Sequence, residues 1–155
     1  MHSRVRAKAV LTVALWAGLV PSAAIVDASF TDGVGMPYAD VEISVTTDKT
    51  SYAPGEPIMM CLEVMNQTEQ VVTFKFSSGQ RYDFLIEDAA GHTVWRWATD
   101  KGFIQMLGEQ RVAPGQVLTY RERFDGILPP RTYTVVGILV ASNRPLRAST
   151  TITVR

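Results

Sequence analysis

Two runs, Tyr82-Asp-Phe-Leu-Ile-Glu87 and Thr93-Val-Trp-Arg-Trp97, flank the tetrapeptide Asp88-Ala-Ala-Gly91. Apolar residues recur in both runs at the two-residue period of a half-buried strand. An aspartate opening the connection and a glycine closing it predict a β-hairpin, built on a type I turn whose last residue tolerates φ > 0. Just upstream, Ser77-Ser-Gly-Gln80 predicts a second glycine turn, leading back to a strand carrying Val72, Phe74 and Phe76. This region holds two of the three tryptophans and the one histidine beyond the first two dozen residues.

The same grammar extends in both directions. Val41, Ile43 and Val45 alternate with polar residues, as do Ile58, Met60, Leu62 and Val64, which places Cys61 on the opposite, outward face. Between these strands, Tyr52-Ala-Pro-Gly-Glu56 suits a type II turn, with proline presetting φ and glycine taking φ > 0. Asn66-Gln-Thr-Glu69 spells a glycosylation acceptor and a turn, and we read it as a turn. Downstream, Thr99-Asp-Lys-Gly102 is a loop and Phe103 to Leu107 a short extended piece. Ala113-Pro-Gly-Gln116 repeats the earlier turn before Leu118, Tyr120 and Phe124. Thr132 to Val140 is the most β-rich run, and Thr150 to Val154 the last strand.

Seven or more short strands with Pro/Gly punctuation predict an all-β fold, an antiparallel β-sandwich. The Pro54-Gly-Glu56 turn and the Thr132-Tyr-Thr-Val135 strand start resemble immunoglobulin-like domains, with Tyr133 placed for a tyrosine corner. The predicted core contains Ile58, Met60, Leu62, Phe74, Phe76, Phe84, Ile86, Leu118, Tyr133 and Val135.

Residues 1–24 read differently. His2, Arg4, Arg6 and Lys8 precede an apolar stretch from Ala9 to Val20, and Pro21-Ser-Ala-Ala24 supplies small residues for cleavage. This is the pattern of a cleavable signal peptide, too short to span a bilayer comfortably. Cleavage falls after Ala24, with Ala28 the alternative, and predicts a secreted or periplasmic protein of the cell envelope. Residues 25–40 lack periodicity and read as a flexible tether to a sandwich domain over 41–155. Removing Arg4, Arg6 and Lys8 from 15 basic residues leaves 12 against 15 acidic ones, a net charge of −3. A weakly acidic chain without basic clusters argues against nucleic acid as a partner. The single cysteine, Cys61, excludes an intrachain disulfide.

The inventory argues against an enzyme. Beyond the leader there is one histidine, His92, and no nucleophile-elbow pattern around any serine. One histidine and one cysteine fall short of a zinc site, and no Gly-rich phosphate loop is present, so we expect neither metal nor cofactor. Glu87 and Asp88 are adjacent at a strand end, point to opposite faces and do not cooperate as acid and base.

Binding turns on the register of the hairpin. In one register, a three-residue loop pairs Asp88 with His92, Leu85 faces Trp95, Asp83 faces Trp97, and both tryptophans lie outward. In the other, a two-residue loop puts Phe84 and the tryptophans on one face, and they join the core. The sequence is compatible with both registers. Asp83 is placed to pair with Arg96 or Arg81 as a solvated ion pair.

The ordered set Ser78-Gly-Gln-Arg-Tyr-Asp-Phe84, Gly91, Val94-Trp-Arg-Trp97 and Phe103-Ile-Gln105 resembles the BsuPI family of intracellular proteinase inhibitors. The resemblance runs from the Tyr52–Glu56 turn through Pro114-Gly115 to the Tyr133 strand. It implies a protein that binds and inhibits a serine proteinase without chemistry of its own; we expect a monomer. The export signal sets this chain apart from the family's description as intracellular. Candidate binding residues are Gln80, Arg81, Asp83, Trp95, Trp97, Lys101, Gln105 and Leu128. Lys101 suits a trypsin-like pocket, and the Ile127-Leu128 loop an apolar one, stiffened by Pro129-Pro130. The alternative is a non-inhibitory cell-envelope module that docks a protein or polymer through an aromatic face formed by Trp95 and Trp97.

Overall fold

A computed structural model describes residues 41–155; the expected signal peptide and tether lie outside the described residues. Within them the alternating runs become ten strands: β1 (Val41–Thr47), β2 (Ser51–Tyr52), β3 (Ile58–Asn66), β4 (Val72–Phe76), β5 (Tyr82–Glu87), β6 (Thr93–Arg96), β7 (Gly108–Val112), β8 (Val117–Phe124), β9 (Arg131–Leu139) and β10 (Leu146–Val154). No helix occurs among the described residues. The strands form a three-stranded sheet, β1-β3-β8, a five-stranded sheet, β2-β10-β9-β5-β6, and a two-stranded pair, β4-β7. Every pairing is antiparallel except that of β2 with β10.

The arrangement is sandwich-like because each large sheet has one apolar face to hide. In β3, Ile58, Met60, Leu62 and Val64 are buried, while Met59, Glu63 and Met65 are exposed and Cys61 is half-buried. Ile58, Met60 and Leu62 meet Phe84, Ile86, Tyr133, Val135 and Ile152 of the opposite sheet. A second cluster gathers Val64, Phe74, Phe76, Val112, Leu118 and Leu139 where the β4-β7 pair covers one part of the sandwich. All ten residues expected in the core are buried. At Gly137 in β9 the sheets approach so closely that an added Cβ would lie 2.8 Å from Leu62 Cδ1.

The turns follow the expected chemistry. Gly55 and Gly115 take φ of 79° and 74°, and the amides of Glu56 and Gln116 donate to the carbonyls of Ala53 and Ala113, both at 3.0 Å. Asn66 is buried, its amide group donating to the carbonyls of Gln70 (2.8 Å) and Val112 (2.9 Å). Its side chain is therefore consumed in holding the turn.

The central hairpin combines the two registers weighed from sequence. The Asp88 amide donates to the His92 carbonyl at 2.9 Å and Gly91 takes φ of 81°, so the three-residue loop forms. The ladder then slips: Glu87 pairs with Thr93 but Ile86 pairs with Trp95, leaving Val94 as an extra, exposed residue. This bulge reverses the parity beyond it. Leu85 faces Arg96 rather than Trp95, and the Trp97 amide donates to the Phe84 carbonyl at 2.9 Å. Both tryptophans accordingly share the inward face of Phe84 and Ile86, packing half-buried against the core.

Two strands go beyond those expected. Past the extended piece Phe103 to Leu107 lies β7, paired with β4 from Val72↔Val112 to Phe76↔Gly108. The two-residue β2 exists because the end of β10 runs alongside it.

Candidate functional site

The bulge at Val94 brings Trp97 over Tyr82, two residues upstream of Phe84 on the same face of β5. Their rings stack at 4.6 Å and 29°, and on its other side Tyr82 stacks on Tyr120 of β8 at 4.5 Å and 26°. Three aromatic rings thus bridge the two large sheets. The Tyr82 hydroxyl donates to Glu122, and burial first, then this bond, pushes its pKa above the ordinary tyrosine value. Burial also raises the Tyr120 pKa. Among the described residues, the enclosed Trp97 Nε1 and Tyr120 hydroxyl have no hydrogen-bond partner. Trp95 meets Phe124 edge-on at 5.2 Å.

From this stack the chain leaves the sheet. Ala98 to Asp100 turn it, with the Lys101 amide donating to the Ala98 carbonyl at 3.2 Å. The Lys101 ammonium sits 4.5 Å above the Trp97 ring, and the Phe103 ring lies 5.9 Å from it. The Ile104 carbonyl accepts from the Gly79 amide at 2.8 Å and from the Met106 amide at 3.0 Å. An i to i+2 bond with no positive φ outside glycine is an inverse γ-turn, centred on Gln105. At the far end the Arg81 guanidinium lies 4.5 Å over the Phe76 ring and donates to the Ser78 carbonyl at 2.7 Å. It also fills the space beside Gly108, where a Cβ would come within 2.5 Å of Nη2. The loop is therefore fastened at its start, middle and end. Its outward side carries Ile104, Met106 and Leu107, exposed to 75%, 62% and 83%.

The eight sequence candidates separate into groups. Asp83 is wholly buried: its carboxylate accepts from Arg96 Nε at 2.6 Å and from the amides of Phe84 (2.9 Å) and Ala98 (3.2 Å). The pair with Arg96 is thus enclosed on the acidic side rather than solvated. Gln80 donates to the Tyr82 carbonyl at 3.0 Å and, with Arg81, braces its own turn. Trp95 and Trp97 hold the aromatic packing, while Lys101 and Gln105 stand exposed on the loop. Leu128 is buried in the main core cluster, and its neighbour Ile127, 79% exposed, is the residue that loop displays. Ile104, Met106 and Leu107 are not among the sequence candidates, because apolar residues in a short run carry no charge or ring that marks them as a binding surface.

The arrangement offers surfaces for binding. His92 is exposed, its Nδ1 3.5 Å from Asp88, whose own pKa is lowered chiefly by the His92 amide. Among the described residues no group of three or more His, Cys, Asp or Glu is placed to hold a metal ion, and no helix is long and apolar enough to cross a membrane.

Comparison with known proteins gives a family. The model of BsuPI, described as intracellular proteinase inhibitor, matches residues 45–144. No curated protein sequence matches the chain. Among solved structures, the chain is similar to the sporulation control protein Spo0M from Bacillus subtilis, with a TM-score of 0.50 and 14% identity over 75% of this chain and 49% of that one. It spans about half the length of that relative. The C-terminal domain of wzt gives the same TM-score and identity, over 75% of this chain and 74% of that one. At these identities the likeness concerns the fold alone. The family's description as intracellular overturns the expectation of a secreted or periplasmic, cell-envelope location. That expectation rested on the basic and apolar stretch over residues 1–24, which lies outside the described residues.

Proposed function

Because the chain belongs to the BsuPI family of intracellular proteinase inhibitors, we propose that it inhibits a serine proteinase by non-catalytic binding, acting as a monomer. The observation that carries this reading is the fastened loop between Trp97 and Gly108, an irregular segment held on a rigid sandwich by Trp97, Gly79 and Arg81. A loop already fixed in place loses little conformational freedom on docking, which is what a tight inhibitor needs. The Tyr133 hydroxyl, donating to the Pro129 carbonyl at 2.9 Å, supports reading the sandwich as immunoglobulin-like. Docking through a flat Trp95/Trp97 strip has less support, since both rings pack against the core.

The test is a titration of the full-length chain against trypsin-like, chymotrypsin-like and subtilisin-like enzymes with peptide substrates. Stoichiometric loss of activity against at least one of them is expected, with the inhibitor recovered at the mass of one chain. Undiminished activity in every enzyme at micromolar inhibitor overturns the proposal.

A further inference from the structure

Resting on the inhibitor reading, we infer that Ile104–Leu107 is the segment that enters the proteinase cleft, with Leu107 filling the primary pocket of an enzyme that takes large aliphatic side chains. Three of these four residues hold most of their apolar surface in water, and Leu107 does so to 83%. Folding leaves that surface unpartnered, so a cleft that covers it gains the full transfer free energy. The backbone beneath is fixed by the Gly79–Ile104 bond and by the inverse γ-turn at Gln105. Leu107 then leads directly into β7, where the chain is extended. An extended backbone is the form in which an edge of a partner's cleft pairs with a peptide.

The two rival anchors are weaker. The Lys101 ammonium rests on the Trp97 ring, and entering a basic-specific pocket would forfeit that contact. Leu128 is buried, which leaves Ile127 as one exposed side chain rather than a run. The loop therefore selects against trypsin-like enzymes and for those with an apolar pocket.

The experiment compares wild type, Leu107→Asp, Ile104→Asp, Ile127→Asp, Lys101→Ala and Leu107→Lys, all full-length. Each is checked for unchanged thermal unfolding and titrated against a serine proteinase with an apolar pocket and against a trypsin-like one. Wild type should inhibit the first enzyme more strongly. Leu107→Asp should weaken that inhibition by about tenfold or more, the scale expected for one buried leucine. Ile127→Asp should stay near wild type, Lys101→Ala should lose less inhibition than Leu107→Asp, and Leu107→Lys should gain inhibition of the trypsin-like enzyme. If wild type inhibits while Leu107→Asp and Ile104→Asp match it, or if the larger loss follows Ile127→Asp or Lys101→Ala, another segment is the inhibitory one. A wild type that inhibits neither enzyme removes the inhibitor reading itself, and this assignment with it.

Discussion

Arg96 Nε lies 2.6 Å from Asp83 Oδ2, across the seam between β5 and β6, with the carboxylate wholly buried and the guanidinium half in solvent. The asymmetry decides how the pair behaves when one side is removed. Arg96→Ala leaves a buried charge held by two amides, and should cost about 3 kcal/mol, as for other broken buried pairs. Asp83→Asn keeps an oxygen for those amides and lets Arg96 return to water, so a loss of about 1–2 kcal/mol is expected. Urea unfolding of both variants checks the order; a larger loss for Asp83→Asn would show that the arginine is the more dependent partner.

Phe84 is enclosed between the sheets, beside Ile86 and Tyr133. Phe84→Ala should destabilise by about 3–5 kcal/mol, the range for truncating a buried phenylalanine. Chemical denaturation measures this, and a loss below ~1 kcal/mol would place the side chain at the surface.

Gly137 tests the opposite fault. Its missing Cβ would lie 2.8 Å from Leu62 Cδ1 and 3.2 Å from Val45 Cγ2. Gly137→Ala should therefore destabilise by about 1–3 kcal/mol through overpacking, although alanine suits a strand better than glycine. A variant as stable as wild type would mean that the two sheets separate easily here.

Alkaline pH should loosen the fold through its tyrosines. Burial, with a hydrogen bond to Asp48, pushes the Tyr52 pKa from 10.0 up to about 12. In the unfolded chain the same phenol ionises at its ordinary value, so between pH 10 and 12 the unfolded state has released a proton the folded state retains. Stability is thus fully present below pH 10 and declines as pH rises toward 12. Absorbance at the phenolate band, followed with unfolding, should show this, and Tyr52→Phe should flatten the decline. Ionisation of every tyrosine near its ordinary pKa in the folded protein would contradict it.

Much of the fold was legible because alternation reports burial directly. Ile58 to Val64 alternate in sequence and alternate in the structure, and each Pro-Gly pair marks a turn whose glycine takes positive φ. The tryptophan register was not legible. Val94 looks like any β-branched strand residue, and nothing local says that the ladder skips it. β7, Gly-Glu-Gln-Arg-Val, has one buried residue, so it has no pattern to detect and depends on β4 for its existence. Leu128 and Leu107 are the same residue type after a short loop, yet one is buried and the other bare. Only the tertiary surroundings separate them. Trp97, Lys101 and Gln105, marked by a ring, a charge and an amide, lie at this loop, whereas the apolar character of Ile104, Met106 and Leu107 gives no such mark in sequence.

The position of β10, between β9 and β2, governs the order in which this domain can be assembled. Ser51 pairs with Thr153, a separation of about a hundred residues, and β9 has no neighbour on that side until residues 146–154 arrive. A chain emerging from the ribosome therefore carries β2 without its partner through most of its synthesis, and β9 keeps a bare edge until β10 follows it. Such an edge is an invitation to intermolecular pairing, and closing long loops late makes folding slow. Nascent chains halted before Leu146 should accordingly remain bound by chaperones, and should be released as one cooperative unit when the last strand is added.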